Sequence, residues 1–341
     1  MSDASALEVQ RPPKATSALI ASSDRPRSPP FQIRAALLQL VKMFVSAALM
    51  YFALRKIDFQ TLASRLDLGS LGWIALAVLT ALLQVGLGGL RWREIAAQCG
   101  LSLTMRQALR FTLIGTFFNQ ALPSSIGGDA MRIWLAQRST NAGWRPATYS
   151  AIVDRAMGMI ALAVVVVATL PWSYQLIGDA QGRYALLLID FAALAGGILF
   201  LAIGRLGWRW LQTHWQSRDL FACSQIANRV LFGTMRGPRV VVLSLFIHVL
   251  NATVAWCAVR SIAAPVTFFE VFELIPPVIL VTTIPISIAG WGVREASMGL
   301  AFGYAGLLTA DGVNVSLLFG ATVLLVGTLG GVAWVASPEK A

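Results

Sequence analysis

Three acid–arginine pairs stand inside or beside strongly apolar sequence: Asp129 with Arg132, Asp154 with Arg155, and Glu295 beside Arg294. Charge placed at membrane depth costs a few kcal/mol per residue, so such residues face a bundle interior or a wet cavity and are binding candidates by default. The same pairs would serve equally as structural ion pairs that fix helix register. Arginine offers a planar fork of donors that matches phosphate oxygens. The first pair follows Gly127-Gly128, where a restarting helix would turn unpaired N–H groups and partial positive charge toward an anionic group. Asp129 opposes that charge unless it caps the helix and orients Arg132. Asp190, in the apolar run Leu186 to Phe191, reads either as a proton-relay carboxyl or as an acid that hydrogen-bonds a neighbouring helix. His248 and Asn251, one turn apart, can share a polar interior face.

Other chemistries lose their support. There is no Walker motif, Gly-rich dinucleotide loop, GxSxG elbow or HExxH helix, so neither a cofactor nor an enzyme activity is expected. Cys99, Cys223 and Cys257 form no CxxC pair, and His214 and His248 are the sole histidines, which points to neither a disulfide framework nor a metal centre.

The elements that must position these charges are interrupted helices. Phe117-Phe118-Asn119-Gln120-Ala121-Leu122 reads as apolar helix, breaks at Pro123-Ser124-Ser125-Ile126-Gly127-Gly128, and resumes on Asp129 and Arg132. Proline removes a donor and clashes with the preceding turn, so a continuous helix is not expected. Non-helical backbone at membrane depth is tolerated where it is buried in protein or lines a wet cavity. Ile284-Pro285-Ile286-Ser287-Ile288-Ala289-Gly290-Trp291-Gly292-Val293-Arg294-Glu295 repeats the pattern. Pro123, Ser125, Ile126, Gly128 and Arg132 each recur 162 residues later, at Pro285, Ser287, Ile288, Gly290 and Arg294. Five such matches fit either an internal repeat or coincidence among common residue types. Paired interruptions in the two halves of a membrane protein point to a binding site near the midplane.

Hydrophobic residues make up 57% of the 341, charged residues 13%, and the mean hydropathy is +0.69, which describes an integral membrane protein. The expected fold is all-α and polytopic, with about seven to eight membrane segments plus broken, re-entrant helices. Spans are expected near 35–54, where Lys42 snorkels, then 71–90, 150–170, 184–204, 238–260 and 314–336. Gly86, Gly88 and Gly89 would let the second pack closely on a neighbour. Trp92, flanked by Arg91 and Arg93, reads as a common interfacial anchor.

Residues 1–34, rich in Ser, Pro and Arg, read as a disordered cytoplasmic tail, 35–336 as the membrane domain and 337–341 as a short C-terminal tail. Basic residues flank the first break on both sides, so both its ends read as cytoplasmic and the element as re-entrant. The connection 205–237, with five arginines against Asp219, also reads as inside. Three crossings then separate the two breaks, and that odd number brings the second in from the opposite face, as in an inverted repeat. The net charge of +11 is spread over loops rather than gathered in a basic domain, so it speaks for topology and anionic headgroups and against nucleic acid.

Leu90-Arg91-Trp92-Arg93, the Phe118 to Arg132 string, Val153-Asp154-Arg155-Ala156-Met157-Gly158 and Gly290-Trp291-Gly292-Val293-Arg294-Glu295 resemble, in this order, the flippase-like, lysylphosphatidylglycerol synthase transmembrane-region family. The resemblance covers roughly 35–336. It implies movement of a lipid between leaflets of a bacterial inner membrane, by a stand-alone member without the soluble synthase domain. Its expected partners are membrane lipids, with an anionic headgroup or of polyprenyl or hopanoid type, and a lipid-synthesising enzyme. The residues it marks for substrate binding are Arg91, Arg93, Asn119, Pro123, Gly127, Gly128, Asp129, Arg132, Asp154, Arg155, Gly290, Trp291, Gly292, Arg294 and Glu295. The competing expectations are a membrane enzyme or enzyme partner using Asp129 or Glu295 as acid or base, and a scaffold that moves nothing.

Overall fold

Ten helices and no strand make up the described residues of the computed structural model, which are 65–122, 126–140, 142–206, 215–233, 235–284, 287 and 290–336, with Phe44 and Tyr51. The expected tail 1–34, the span 35–54 with Lys42 (those two residues apart), Pro123 and the tail 337–341 lie outside them. The helices are α1 (Leu68–Gln98), α2 (Met105–Ala121), α3 (Gly127–Thr140), α4 (Trp144–Leu176), α5 (Ala180–Arg205), α6 (Trp215–Phe232), α7 (Gly237–Ser261), α8 (Phe268–Thr282), α9 (Val293–Tyr304) and α10 (Thr309–Val335). The fold is therefore all-α and polytopic, as the sequence leads one to expect.

Five helices, α1, α4, α5, α7 and α10, are long and apolar enough to cross a membrane. The other apolar segments are shorter, from 12 to 17 residues, and fold back in pairs: α2 on α3, and α8 on α9. Both outgoing arms start with a capping box. Thr104 and Gln107 exchange side-chain and backbone hydrogen bonds at 3.0 and 3.2 Å, and Thr267 and Glu270 do so at 2.7 and 3.3 Å.

Contacts between loops sort the helix ends into two groups. At one end, Arg93 donates to the Leu103 carbonyl at 3.1 Å, Arg236 reaches Glu94 at 3.1 Å, and Trp134 meets Trp334 with ring centroids 5.9 Å apart. At the other, Arg65 pairs with Asp311 at 2.6 Å, Ser70 donates to the Ser261 carbonyl at 2.6 Å, and Gly178 N–H donates to the Tyr304 carbonyl at 3.1 Å. The first group holds Arg93, Arg106, Arg138, Arg145, Arg205, Arg218, Arg229, Arg236 and Arg239 and is called the basic end. The α2–α3 hairpin enters from the basic end and the α8–α9 hairpin from the opposite end. The expected parity holds.

The repeat holds as well. A shift of 162 residues carries α2 onto 267–283, where α8 is Phe268–Thr282, and α4 onto 306–338, where α10 is Thr309–Val335. Packing obeys the same symmetry, for α2 lies on α10 as α8 lies on α4. The seam between the halves is α1 against α7, antiparallel, with small residues Ala77, Ala81, Ala255 and Ala258 in its dry part. Polar rungs mark its register: Gln84 donates to Asn251 at 3.1 Å and Arg91 to Ser244 at 3.3 Å. Without a hydrophobic force between helices in lipid, small-residue contact and such hydrogen bonds are what hold them together.

One expectation is corrected. The second span does not stop near residue 90: α1 runs on to Gln98 because Arg91, Trp92 and Glu94 find partners on neighbouring helices and need not reach the interface. Its Gly89 packs on the α2 backbone at Ala108 and Leu109. The connection 205–237 contains α6, which lies at the basic end and buries Phe221, Cys223, Ala227 and Val230, the last three with Ile95, Val153 and Met157.

Candidate functional site

The first break organises a ladder of five alternating charges. Asp154, on α4 and 4% exposed, accepts from Arg91 Nε on α1 at 2.9 Å and from Arg132 Nη2 on α3 at 3.0 Å. Arg132 Nη1 reaches Asp129 Oδ1 at 3.3 Å, and Asp129 Oδ2 pairs with Arg155 Nη1 at 3.1 Å. The sequence places Asp154 beside Arg155, yet the two side chains leave the helix about 100° apart and here turn to different partners. Asp154 turns inward to two other arginines, and Arg155 turns toward Asp129. Side-chain exposure rises along the ladder from 5% at Asp154 and 11% at Arg132 to 17% at Asp129 and 40% at Arg155. Among the described residues the ladder sets three arginines against two aspartates, one excess positive charge, and Arg155 is its most exposed member.

The hairpin brings these groups together by close backbone approach. A side chain on Gly128 would collide with the Gly115 carbonyl and with Asn119, so glycine is what allows α3 to close on α2. The expectation of free N–H groups there is corrected: Gly128 N–H donates to Asn119 Oδ1 at 2.8 Å, so Asn119 caps the restarting helix. Gly127 packs against Leu122 and the Phe118 carbonyl at the tip. Trp92 is also not an interfacial anchor. It is fully buried, donates to Ser150 Oγ at 3.2 Å, and carries the Arg132 guanidinium 4.2 Å from its ring. A cation stacked on a desolvated indole is held in orientation and gains up to about 2 kcal/mol. Among the described residues Arg132 Nε has no hydrogen-bond partner, which leaves one donor of the ladder uncommitted.

The second break builds a closed counterpart. Gly290 and Gly292 have φ of 80° and 85°, a left-handed backbone that other residues adopt only with strain, and they turn the chain into α9. Glu295, 0% exposed, has both oxygens engaged: Oε2 accepts from Gly292 N–H at 2.6 Å, and Oε1 from Arg294 Nη2 at 3.0 Å and Ser316 Oγ at 2.8 Å. Arg294 Nε also donates to Ser316 at 3.1 Å, with the Trp291 ring 4.9 Å and the Phe319 ring 5.5 Å from its guanidinium. The two sites correspond under the 162-residue shift: Ser316 stands where Asp154 does, and Gly320, against Arg294, stands where Gly158 does, against Arg91. Under the same shift Asp129, Arg155 and Arg91 give way to Trp291, Leu317 and Thr253, while Glu295 stands in place of Ile133, so a net-positive ladder has a neutral ion pair as its counterpart.

The structure thus gathers Arg91, Asn119, Gly127, Gly128, Asp129, Arg132, Asp154 and Arg155 into one site, and Gly290, Trp291, Gly292, Arg294 and Glu295 into another. Helix α10 touches both. Its Gly320 meets Arg294, and its Gly327 meets the end of α2 seven residues later, about 10 Å along the helix. Arg93 joins neither. It holds the 99–104 loop through Leu103 and lines a cavity of about 340 Å³ with Glu94, Ser102, Thr104 and Arg236. Ser244 and Ser316 escaped the sequence reading because a lone serine in an apolar helix carries no signal, although the repeat offset would have led from Asp154 to Ser316. His248, one turn from Ser244, donates through Nε2 to the Gly158 carbonyl at 2.9 Å and supports the α4 wall. No three His, Cys, Asp or Glu side chains among the described residues are grouped to hold a metal ion.

No curated protein shows a significant match to this chain. A family model does, over residues 39–331, which takes in both breaks, both charge sites and all but the last four residues of α10. This multi-pass helical membrane protein belongs to the family of the lysylphosphatidylglycerol synthase TM region.

Proposed function

We propose that this chain moves an anionic lipid between the leaflets of the bacterial inner membrane, with its basic end and N-terminus in the cytoplasm. The observation that carries the reading is the ladder at the first hairpin: a buried, net-positive row of charges whose exposed end is an arginine. Desolvation makes such a site selective for a negative headgroup, since a neutral one would leave the excess charge uncompensated. Arg155 and the uncommitted donor of Arg132 take the headgroup while the hydrocarbon chains stay in lipid. The second site, saturated by its own serine, is the structural brace that fixes the opposing hairpin. A lipid-synthesising enzyme at the basic face is the natural supplier of the substrate.

The enzyme reading draws less support. Glu295 has no oxygen available to act as acid or base, and Asp129 is paired with two arginines. Nine arginines at one end against Arg65, Arg183 and Arg260 at the other favour the proposed orientation.

The test is a proteoliposome assay in which a quencher reports how much fluorescent phosphatidylglycerol has crossed. Wild type should equilibrate the anionic lipid faster than a zwitterionic one, and Arg155→Ala and Arg132→Ala should lose that preference while remaining folded. Wild-type rates in both folded variants would refute the headgroup site. In a cysteine-free background, Arg218→Cys should be labelled from the cytoplasm and Gln181→Cys from outside; the reverse would refute the orientation.

A further inference from the structure

Asp190 lies on α5, ten residues from the helix start, so about 15 Å into a hydrocarbon core of about 30 Å. The residue is 4% exposed, and among the described residues neither carboxyl oxygen has a hydrogen-bond partner. An ionised carboxylate in this position carries a cost of several kcal/mol that no partner offsets, whereas a proton removes the charge. Two cavities flank it along the same helix. The one toward the opposite end, about 150 Å³, is lined by Leu186 and Ile189 of α5 together with Glu273, Pro277 and Tyr304. The one toward the basic end, about 290 Å³, is lined by Ala192, Ala193 and Gly196 with Met159, Ile160 and Leu280. Leu186 and Ala193 stand one turn on either side of Asp190, and Leu280 and the neighbouring Val281 of α8 line one cavity each.

Helices α4, α6 and α8 pack along α5, and α9 meets its Gly182 through Tyr304. The titratable and charged groups of the first three are Arg145, Tyr149, Asp154, Arg155 and Tyr174 on α4, Arg218, Asp219, Cys223 and Arg229 on α6, and Glu270 and Glu273 on α8. Of these, Glu273 alone lines a cavity beside Asp190, joined there by Tyr304 of α9; the lining of the basic-side cavity is wholly apolar. Glu273 thus stands on the opposite-end side of Asp190, and no titratable group lines the cavity on its basic side.

We propose that Asp190 is a proton-binding site that couples proton movement across the membrane to the translocation cycle. The coupling rests on the translocase reading above; the proton site does not. In the state described, the carboxyl holds a proton taken from water at the opposite end by way of Glu273. Release to water at the basic end requires the apolar cavity between α4, α5 and α8 to open, a movement of the second hairpin against α5.

Dicyclohexylcarbodiimide reacts with protonated carboxyls in apolar surroundings. Full-length protein in lipid nanodiscs, treated across a pH series and mapped by tandem mass spectrometry, should carry an adduct at Asp190 that diminishes as pH rises. Asp190→Asn should lose the adduct and melt with wild type. In proteoliposomes an imposed gradient, acid at the opposite end, should accelerate lipid crossing several-fold in wild type and leave Asp190→Asn at its gradient-free rate. An absent adduct at every pH, or a destabilised Asp190→Asn, would mark an ionised Asp190 paired with a cation outside the described residues and overturn the proton site. An adduct with gradient-insensitive crossing would overturn the coupling. Vesicles that move no lipid would overturn the translocase reading, and the coupling with it, while the adduct still reports the proton.

Discussion

Asp154→Ala is the sharpest test of the ladder. The carboxylate is 4% exposed and serves two arginines, at 2.9 Å on Arg91 and 3.0 Å on Arg132. Their losses are unequal. Arg132 keeps Asp129 at 3.3 Å and its seat on Trp92, whereas Arg91 keeps only the Ser244 hydroxyl at 3.3 Å. The substitution therefore leaves one buried guanidinium with no counter-charge, which costs about 3–5 kcal/mol. At roughly 2 °C per kcal/mol for a chain of this size, the melting temperature should fall by about 6–10 °C. The natural thiols supply the assay, since Cys223 and Cys257 are 1% and 0% exposed and a thiol-reactive dye reaches them when the bundle opens. The double variant Arg91→Met/Asp154→Leu removes the pair rather than half of it and should regain most of the loss, because well-packed apolar replacements of buried pairs are near neutral. A wild-type melting point for Asp154→Ala, or a double variant no better than the single, would refute the ion-pair account.

Three further outcomes are expected. Gly128→Ala should destabilise by about 1–3 kcal/mol or more, since the new methyl meets backbone at Gly115 rather than a movable side chain, and the same dye assay reads it. Arg294→Ala should lower stability by about 3–5 kcal/mol, by leaving Glu295 buried without its cation, yet preserve the anionic-lipid preference of the protein that stays folded; lost preference would return the second site to a binding role. Burial pushes the thiols of Cys99 and Cys223 up to about 12, so the reactive thiolate is scarce below that pH. Alkylation of the folded protein near neutral pH should then be far slower than of a free thiol and should jump on unfolding, and fast labelling in the folded state would contradict their placement.

Much of the architecture is written locally and so is legible without a structure. Apolar runs of membrane length, a proline and paired glycines at each break, and basic residues at one set of loops depend on short stretches of chain. They determine the helical membrane class, the two interruptions and, through the parity of the three crossings α4, α5 and α7, the opposed entry of the hairpins. The 162-residue recurrence of Pro, Ser, Ile, Gly and Arg is likewise sequence information, and the helix boundaries obey it.

Partner choice is not local. Arg91 and Asp154 are 63 positions apart and meet because α1 and α4 present those faces to each other, a fact set by packing of whole helices. Asp154 and Arg155 leave their helix about 100° apart, but local geometry does not say that one turns to Arg132 and the other to Asp129. Trp92 has the composition of an anchor and becomes a buried platform because α2, α3 and α4 close over it. Above all, Arg132 and Arg294 occupy equivalent places in two similar motifs, and the sequence treats them alike. Tertiary structure sets an aspartate against one and a serine beside the other, and the resulting difference in charge balance and burial leaves the first site open and the second closed.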